Sequence, residues 1–208
     1  MPARRNAAIV LCLVLAAQAW AQAKPDALKL YREGKYDQAR AVCLAEIEQA
    51  PGNMESYVVL GWSLLALGRY ADAELYGTRA YESIRRDPRI VEILGEAAYH
   101  QGKNDQALER FEQYVNLLPD GERLGTVYFF MGEIYLRQEL WSHADIAFRT
   151  AVQYEPGKAA WWTRLGYARE KNRDWTWALE AYEKALELDP AAKDARLGRD
   201  RVRAELRA

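Results

Sequence analysis

Two histidines, two cysteines and 30 acidic residues are the side chains through which this 208-residue chain could do acid–base, nucleophilic or metal chemistry. Their spacing argues against all three. Neither His100 nor His143 belongs to an H-E-x-x-H or similar spacing that would put two metal ligands on one helix face. Cys43 has no C-x-x-C partner, and the chain has neither a G-x-S-x-G elbow nor a Gly-rich phosphate loop. The carboxylates recur at three- and four-residue spacing, as in Glu180, Glu183 and Glu187, which suits the solvated face of a helix. The expectation is a chain that is not an enzyme, with no catalytic residue, no metal site and no cofactor.

Half the residues are hydrophobic and 28% are charged, a globular balance, and a net charge of −1 gives no nucleic-acid footprint. The first 23 residues stand apart. Arg4 and Arg5 precede an apolar run from Ala7 to Ala17, and A-x-A patterns follow, ending with Ala21, Gln22 and Ala23. That order is that of a cleaved secretory signal peptide, its apolar run well short of the ~20 residues that span a bilayer. The expectation is an exported, periplasmic protein with no stable membrane span after cleavage. A mature chain from Lys24 would hold 27 basic and 30 acidic residues and a single thiol, Cys43, at an apolar helical position where a buried, inert role is expected.

The rest of the chain repeats itself. An apolar-Gly pair recurs at Gly61, Gly95, Gly132 and Gly166, spaced by 34, 37 and 34 residues, and an Ala follows each twelve residues later, at Ala73, Ala107, Ala144 and Ala178. One period back from Ala73 lies Ala39. Five units result: 20–53, 54–87, 88–121, 125–158 and 159–192. Their pattern resembles the tetratricopeptide repeat family, W-x2-L-G-x2-Y, A-x3-F, then P. The last unit carries it as Trp162, Leu165, Gly166, Ala178, Tyr182, Ala185 and Pro190. The fourth carries Tyr128, Gly132, Tyr135, Ala144, Phe148 and Pro156. There are departures. Gly77 stands where an aromatic is usual, Pro88 comes three residues late, Glu122 to Leu124 are inserted at an inter-repeat turn, and the first unit keeps only a short first helix after cleavage.

Apolar residues at three- and four-residue spacing make each unit two amphipathic helices around a tight turn, with Gly68 and Gly102 at two of the turns. The small residues should let elements approach closely, the aromatics at 111, 148 and 182 should fill the space between neighbouring repeats, and Pro51, Pro119, Pro156 and Pro190 should end second helices. One helix pair cannot bury its apolar face alone. The resemblance therefore implies an all-α fold, a right-handed α-solenoid of about five helix-turn-helix repeats. Residues 193–208 read as a capping helix of charge +3, with Ala195, Val202 and Leu206 on the last repeat and the arginines facing water.

In the family the first helix of each repeat lines a concave groove. Carried over, this places Val58, Val59, Trp62 and Leu65 of the second unit in the groove, then Glu92, Glu96, Tyr99 and His100 of the third. The fourth supplies Phe129, Phe130, Glu133 and Arg137, and the fifth Arg164 and Tyr167. The Lys, Asn and Arg set with which chaperone-binding members clamp a carboxylate is absent from these positions. Trp62, Phe129 and Phe130 read as exposed anchors, the alternative being that side chains from adjacent helices or the short first unit folding inward cover them, and Glu92, Glu96 and Glu133 read as acids awaiting a partner's Lys or Arg. The expected function is a protein- or peptide-binding scaffold of the bacterial cell envelope. The alternative is a periplasmic carrier of a small apolar ligand or lipid. Self-association through the repeat ends is open, and no nucleic-acid partner is expected.

Overall fold

The computed structural model describes residues 26–84 and 86–208; the signal-peptide reading on residues 1–23 lies outside them. Every regular element among the described residues is an α-helix. In chain order they are α1 (Ala27–Arg32), α2 (Tyr36–Gln49), α3 (Met54–Ala66), α4 (Tyr70–Ser83), α5 (Pro88–His100), α6 (Asn104–Leu117), α7 (Leu124–Arg137), α8 (Trp141–Tyr154), α9 (Ala159–Lys171), α10 (Trp175–Leu188) and α11 (Lys193–Glu205). The first ten form five antiparallel pairs, and α11 packs alone on α9 and α10. No described helix is long and apolar enough to cross a membrane.

The turn inside each pair is built the same way five times. Gly34, Gly68 and Gly102 have φ of +74°, +70° and +73°, and the two remaining turns place Glu139 and Arg173 at 58° and 63°. A left-handed residue at this point lets the next amide reach back to the last helical turn. Lys35, Arg69, Lys103, Leu140 and Asp174 donate from their backbone N–H to the carbonyls of Leu30, Leu64, Ala98, Tyr135 and Arg169, at 2.8–2.9 Å. The second helices α2, α6, α8 and α10 stop two residues before Pro51, Pro119, Pro156 and Pro190. Pro88, the proline that comes late, does something else. It is the first residue of α5, behind the N-cap Asp87, whose carboxylate accepts from Arg89 N–H at 3.0 Å.

Gly and aromatic pack within a repeat. A Cβ on Gly132 would lie 2.7 Å from the Phe148 ring, so the bare glycine backbone is the seat of that ring. Gly95 with Phe111 and Gly166 with Tyr182 repeat the arrangement. The aromatics therefore fill space over their own repeat's glycine rather than only between repeats. Where the second unit has Gly77 in place of the ring, the next unit substitutes for it: Ile93 covers Gly61 and Leu94 covers Gly77. The four alanines at 73, 107, 144 and 178 have no exposed surface. At the far end Ala195, Gly198 and Val202 are buried as expected of a cap, but Leu206 is 46% exposed because α11 ends at Glu205.

Candidate functional site

Apart from α7 and α9, successive first helices pack on one another, α1 on α3, α3 on α5, α5 on α7 and α9 on α11, while no two second helices meet to that extent. An inner layer that touches and an outer layer that spreads make the first-helix side the concave one. Two recesses lie along it. One, of about 660 Å³, lies between Tyr31 of α1, Trp62, Leu65 and Ala66 of α3, Arg89, Glu92 and Glu96 of α5, Tyr114 and Leu118, and Glu122 and Arg123 before α7. The other, of about 500 Å³, lies between Tyr99, Phe129, Glu133, Thr163, Arg164 and the start of α11.

The expected groove residues divide accordingly. Trp62, Leu65, Glu92 and Glu96 share the first recess, and Tyr99, Phe129, Glu133 and Arg164 the second. Tyr167 faces a smaller hollow beside Leu197 and Arg201. His100 stacks on Tyr70 with ring centres 4.3 Å apart, and the Arg137 guanidinium sits 4.1 Å above the Tyr99 ring. Val58 and Val59 do not belong to the groove. They are 0% and 5% exposed, because their face of α3 is turned into the core between neighbouring helices.

Three further expectations need correction. Trp62, Phe129 and Phe130 are half-buried, each covered by an adjacent repeat, since a first-helix residue faces its neighbour's first helix as well as the groove. Tyr31 of the short first unit lies 5.8 Å from Trp62, Phe129 stacks on Trp161 at 5.0 Å, and Phe130 stacks on Phe111 at 5.8 Å. Glu92 is 3% exposed and accepts from Arg123 Nε and Nη2 at 3.0 and 2.6 Å. Glu133 is held by both Arg164 Nε and, at 2.7 Å, Arg164 Nη2. These two acids are already neutralised from within the chain. A buried carboxylate needs such a partner, since desolvation of an unpaired charge costs several kcal/mol.

Glu170 and Arg201 continue the series at 2.7 and 2.9 Å, so three carboxylate–arginine pairs, each 31 residues apart, tie α5 to the α7 entrance, α7 to α9 and α9 to α11. Arg123 enters the groove on the three-residue insertion, and that insertion was its only signal in the sequence. Burial would raise Glu170, but hydrogen bonds from Arg201 and Tyr182 outweigh it and hold the carboxyl below its ordinary value. Glu96 goes the other way. Burial first, then the Glu92 charge, push it up to about 7 against the pull of Arg123. Burial likewise pushes the Cys43 thiol up to about 12, which disfavours its thiolate form at neutral pH. Among the described residues no group of three His, Cys, Asp or Glu side chains could hold a metal.

Helix pairs stacked in register around one inner face define an all-α helical-repeat solenoid. The chain belongs to the tetratricopeptide repeat family, whose pattern matches residues 26–88, 93–121 and 159–191. It is 34% identical over 162 residues to PYG7, a chloroplastic tetratricopeptide repeat domain-containing protein of Arabidopsis thaliana, a match covering 71% of this chain and 54% of that protein. The chain spans about half that relative's length, and less of the other curated proteins it matches. Among solved structures, PilF of Pseudomonas aeruginosa is similar with a TM-score of 0.73, 17% identity and coverage of 87% of this chain and 81% of that one. YrrB, described as a TPR protein with an unusual peptide-binding site, is similar with a TM-score of 0.68, 18% identity and coverage of 84% and 88%. At these identities the structural likeness shows the fold.

Proposed function

We propose that this protein-binding scaffold holds an extended segment of its partner along the inner face, with its main anchor in the recess around Trp62. The observation that carries the reading is the recess itself: about 660 Å³ open between three repeats, walled by Trp62, Tyr31, Leu65 and Leu118, on a face where Glu92 and Glu133 are paired with arginines of the same chain. An apolar wall beside a few fixed polar groups is the usual build of a ligand site. The peptide-binding site named for YrrB supports the same class of ligand. The proposed role is non-catalytic. The proposed place is the bacterial cell envelope, a reading that rests on the order of residues in 1–23.

The test is an array of immobilised random peptides of about twelve residues, probed with residues 24–208. A set of peptides should bind the wild-type chain and lose binding to Trp62→Ala, while Trp177→Ala, on an outer helix and 60% exposed, should leave it intact. No bound peptide, or binding that survives Trp62→Ala, would sink the groove reading. A carrier of an apolar ligand is disfavoured by the charged floor that Glu92, Glu96 and Arg123 lay in the recess, and native mass spectrometry showing a co-purified lipid would reverse that judgement.

A further inference from the structure

Within the recess Arg123 lies between the carboxylates of Glu92 and Glu96. Arg123 Nη2 lies 2.6 Å from Glu92 and 3.4 Å from Glu96, so its closer partner is the more buried acid. Arg89, on the rim, is already forked between Asp87 at 2.8 Å and Glu55 at 2.8–2.9 Å. On α5 the groups facing Glu96 are Glu92 and His100, the latter 3.8 Å away. Burial and the Arg137 charge lower the His100 pKa, so His100 supplies no positive charge above the ordinary histidine range. The other elements contribute Tyr31 from α1, Trp62 from α3, Tyr114 from α6, and Glu122 with Arg123 from the inserted loop. None is a second cation. A side chain 18% exposed, inside a recess large enough for a guest, is left with a carboxylate that the chain matches only in part.

We propose that Glu96, with the Tyr31 and Trp62 rings that line the same recess, receives one arginine side chain of the bound peptide. The proposal rests on the reading that the inner face takes peptides. A guanidinium fits better than an ammonium, because its planar fork pairs with a carboxylate while its face lies on aromatic rings, and it loses less hydration on entry. The contact is pH-sensitive. Below neutrality Glu96 takes up a proton and its attraction for a cation falls.

The same peptide array tests this, printed with a twin of every peptide in which arginine is replaced by citrulline, which keeps the shape and removes the charge. At about pH 8 the bound arginine peptides should exceed their citrulline twins in affinity by about tenfold, and at about pH 6 the ratio should shrink to about twofold. Glu96→Gln should bind both twins equally at both pH values, with its far-ultraviolet circular dichroism and melting curve showing a folded chain. Equal binding of the twins by the wild type, with loss on Trp62→Ala, would overturn the arginine assignment and leave the groove standing. A preference that persists in Glu96→Gln would overturn it as well. Absence of any bound peptide would overturn both readings.

Discussion

The Glu96 carboxyl carries a cost that the fold accepts. Because burial and Glu92 raise it to about 7, the folded chain holds this proton more tightly than the unfolded chain does. That extra proton affinity favours the folded state in acid and is lost as pH rises from the ordinary carboxylate range, ~4.3, to about 7; above that the folded chain bears the full penalty. Glu74, Asp87 and Glu170, all held low by hydrogen bonds that outweigh or accompany burial, act in the opposite sense and lose their contribution only when pH falls through their own lowered values. Between pH ~5 and ~8 the Glu96 effect therefore stands alone among them. Glu96→Gln should raise the urea unfolding free energy by about 1–2 kcal/mol near pH 8 and by little near pH 5. An equal effect at both pH values would mean that the carboxyl is not held neutral by its surroundings. Which acids lie on the first helices could be read in the sequence, but their internal arginines could not. The pairs join residues 31 apart, a spacing that carries no meaning until the rise between successive first helices is known.

At the scale of the helix pair, the sequence was legible where local chemistry decides the outcome and opaque where neighbours do. Spacing alone placed the Gly68 and Gly102 turns, the second-helix ends before proline and the buried alanines. The groove positions carried over from the family misplaced Val58 and Val59, and the covering of Phe130 stayed open, because which side of α3 or α7 meets the next repeat depends on how far one pair is rotated against its neighbour. Pro88 looked displaced as a stop and is in register as a start. The turns also differ in strain. Glu139 and Arg173 hold the left-handed conformation that glycine holds in the first three repeats, and a side chain there costs ~1–2 kcal/mol. Glycine's own loss of freedom on folding returns part of this. Glu139→Gly and Arg173→Gly should each stabilise the chain by about 0.5 kcal/mol, read from the midpoint of denaturant unfolding. Gly68→Ala should destabilise it by about 1 kcal/mol, although a Cβ there would meet nothing closer than the Tyr70 hydroxyl at 3.9 Å. Destabilisation by either glycine substitution would show that the Glu139 or Arg173 side chain contributes more than its backbone strain takes away.

Across the whole molecule each pair touches its neighbours in sequence, so stability is a sum of units and interfaces and the ends are the weak points. The two ends are closed differently. Among the described residues the first helix is the six-residue α1, with one buried residue, Ala27, and the Tyr31 ring against Trp62. The C-terminal end has α11, held by the Arg201–Glu170 and Arg203–Glu183 pairs and packed around the Tyr182 ring. Tyr182 is 1% exposed, donates its hydroxyl to Glu170 and lies between two bare glycines. A Cβ at Gly166 would lie 2.7 Å from the ring, and one at Gly198 would meet ring carbons Cε1 and Cε2 at 2.5 and 2.6 Å. Pinned from both faces and by its hydroxyl, the ring cannot move aside, so any side chain at 198 must displace α11. That would part Arg201 from Glu170 and open Ala185 and Val202 to water. Gly198→Val should therefore cost about 2–3 kcal/mol. Its effect should be local: amide hydrogen exchange should rise in α9, α10 and α11 and stay at the wild-type level in α3 through α6, as expected of units coupled only to nearest neighbours. A uniform rise along the chain would instead make the solenoid one cooperative block. Groove affinity at the Trp62 recess, three repeats away, should not change in this variant, which separates the end that closes the molecule from the face that binds.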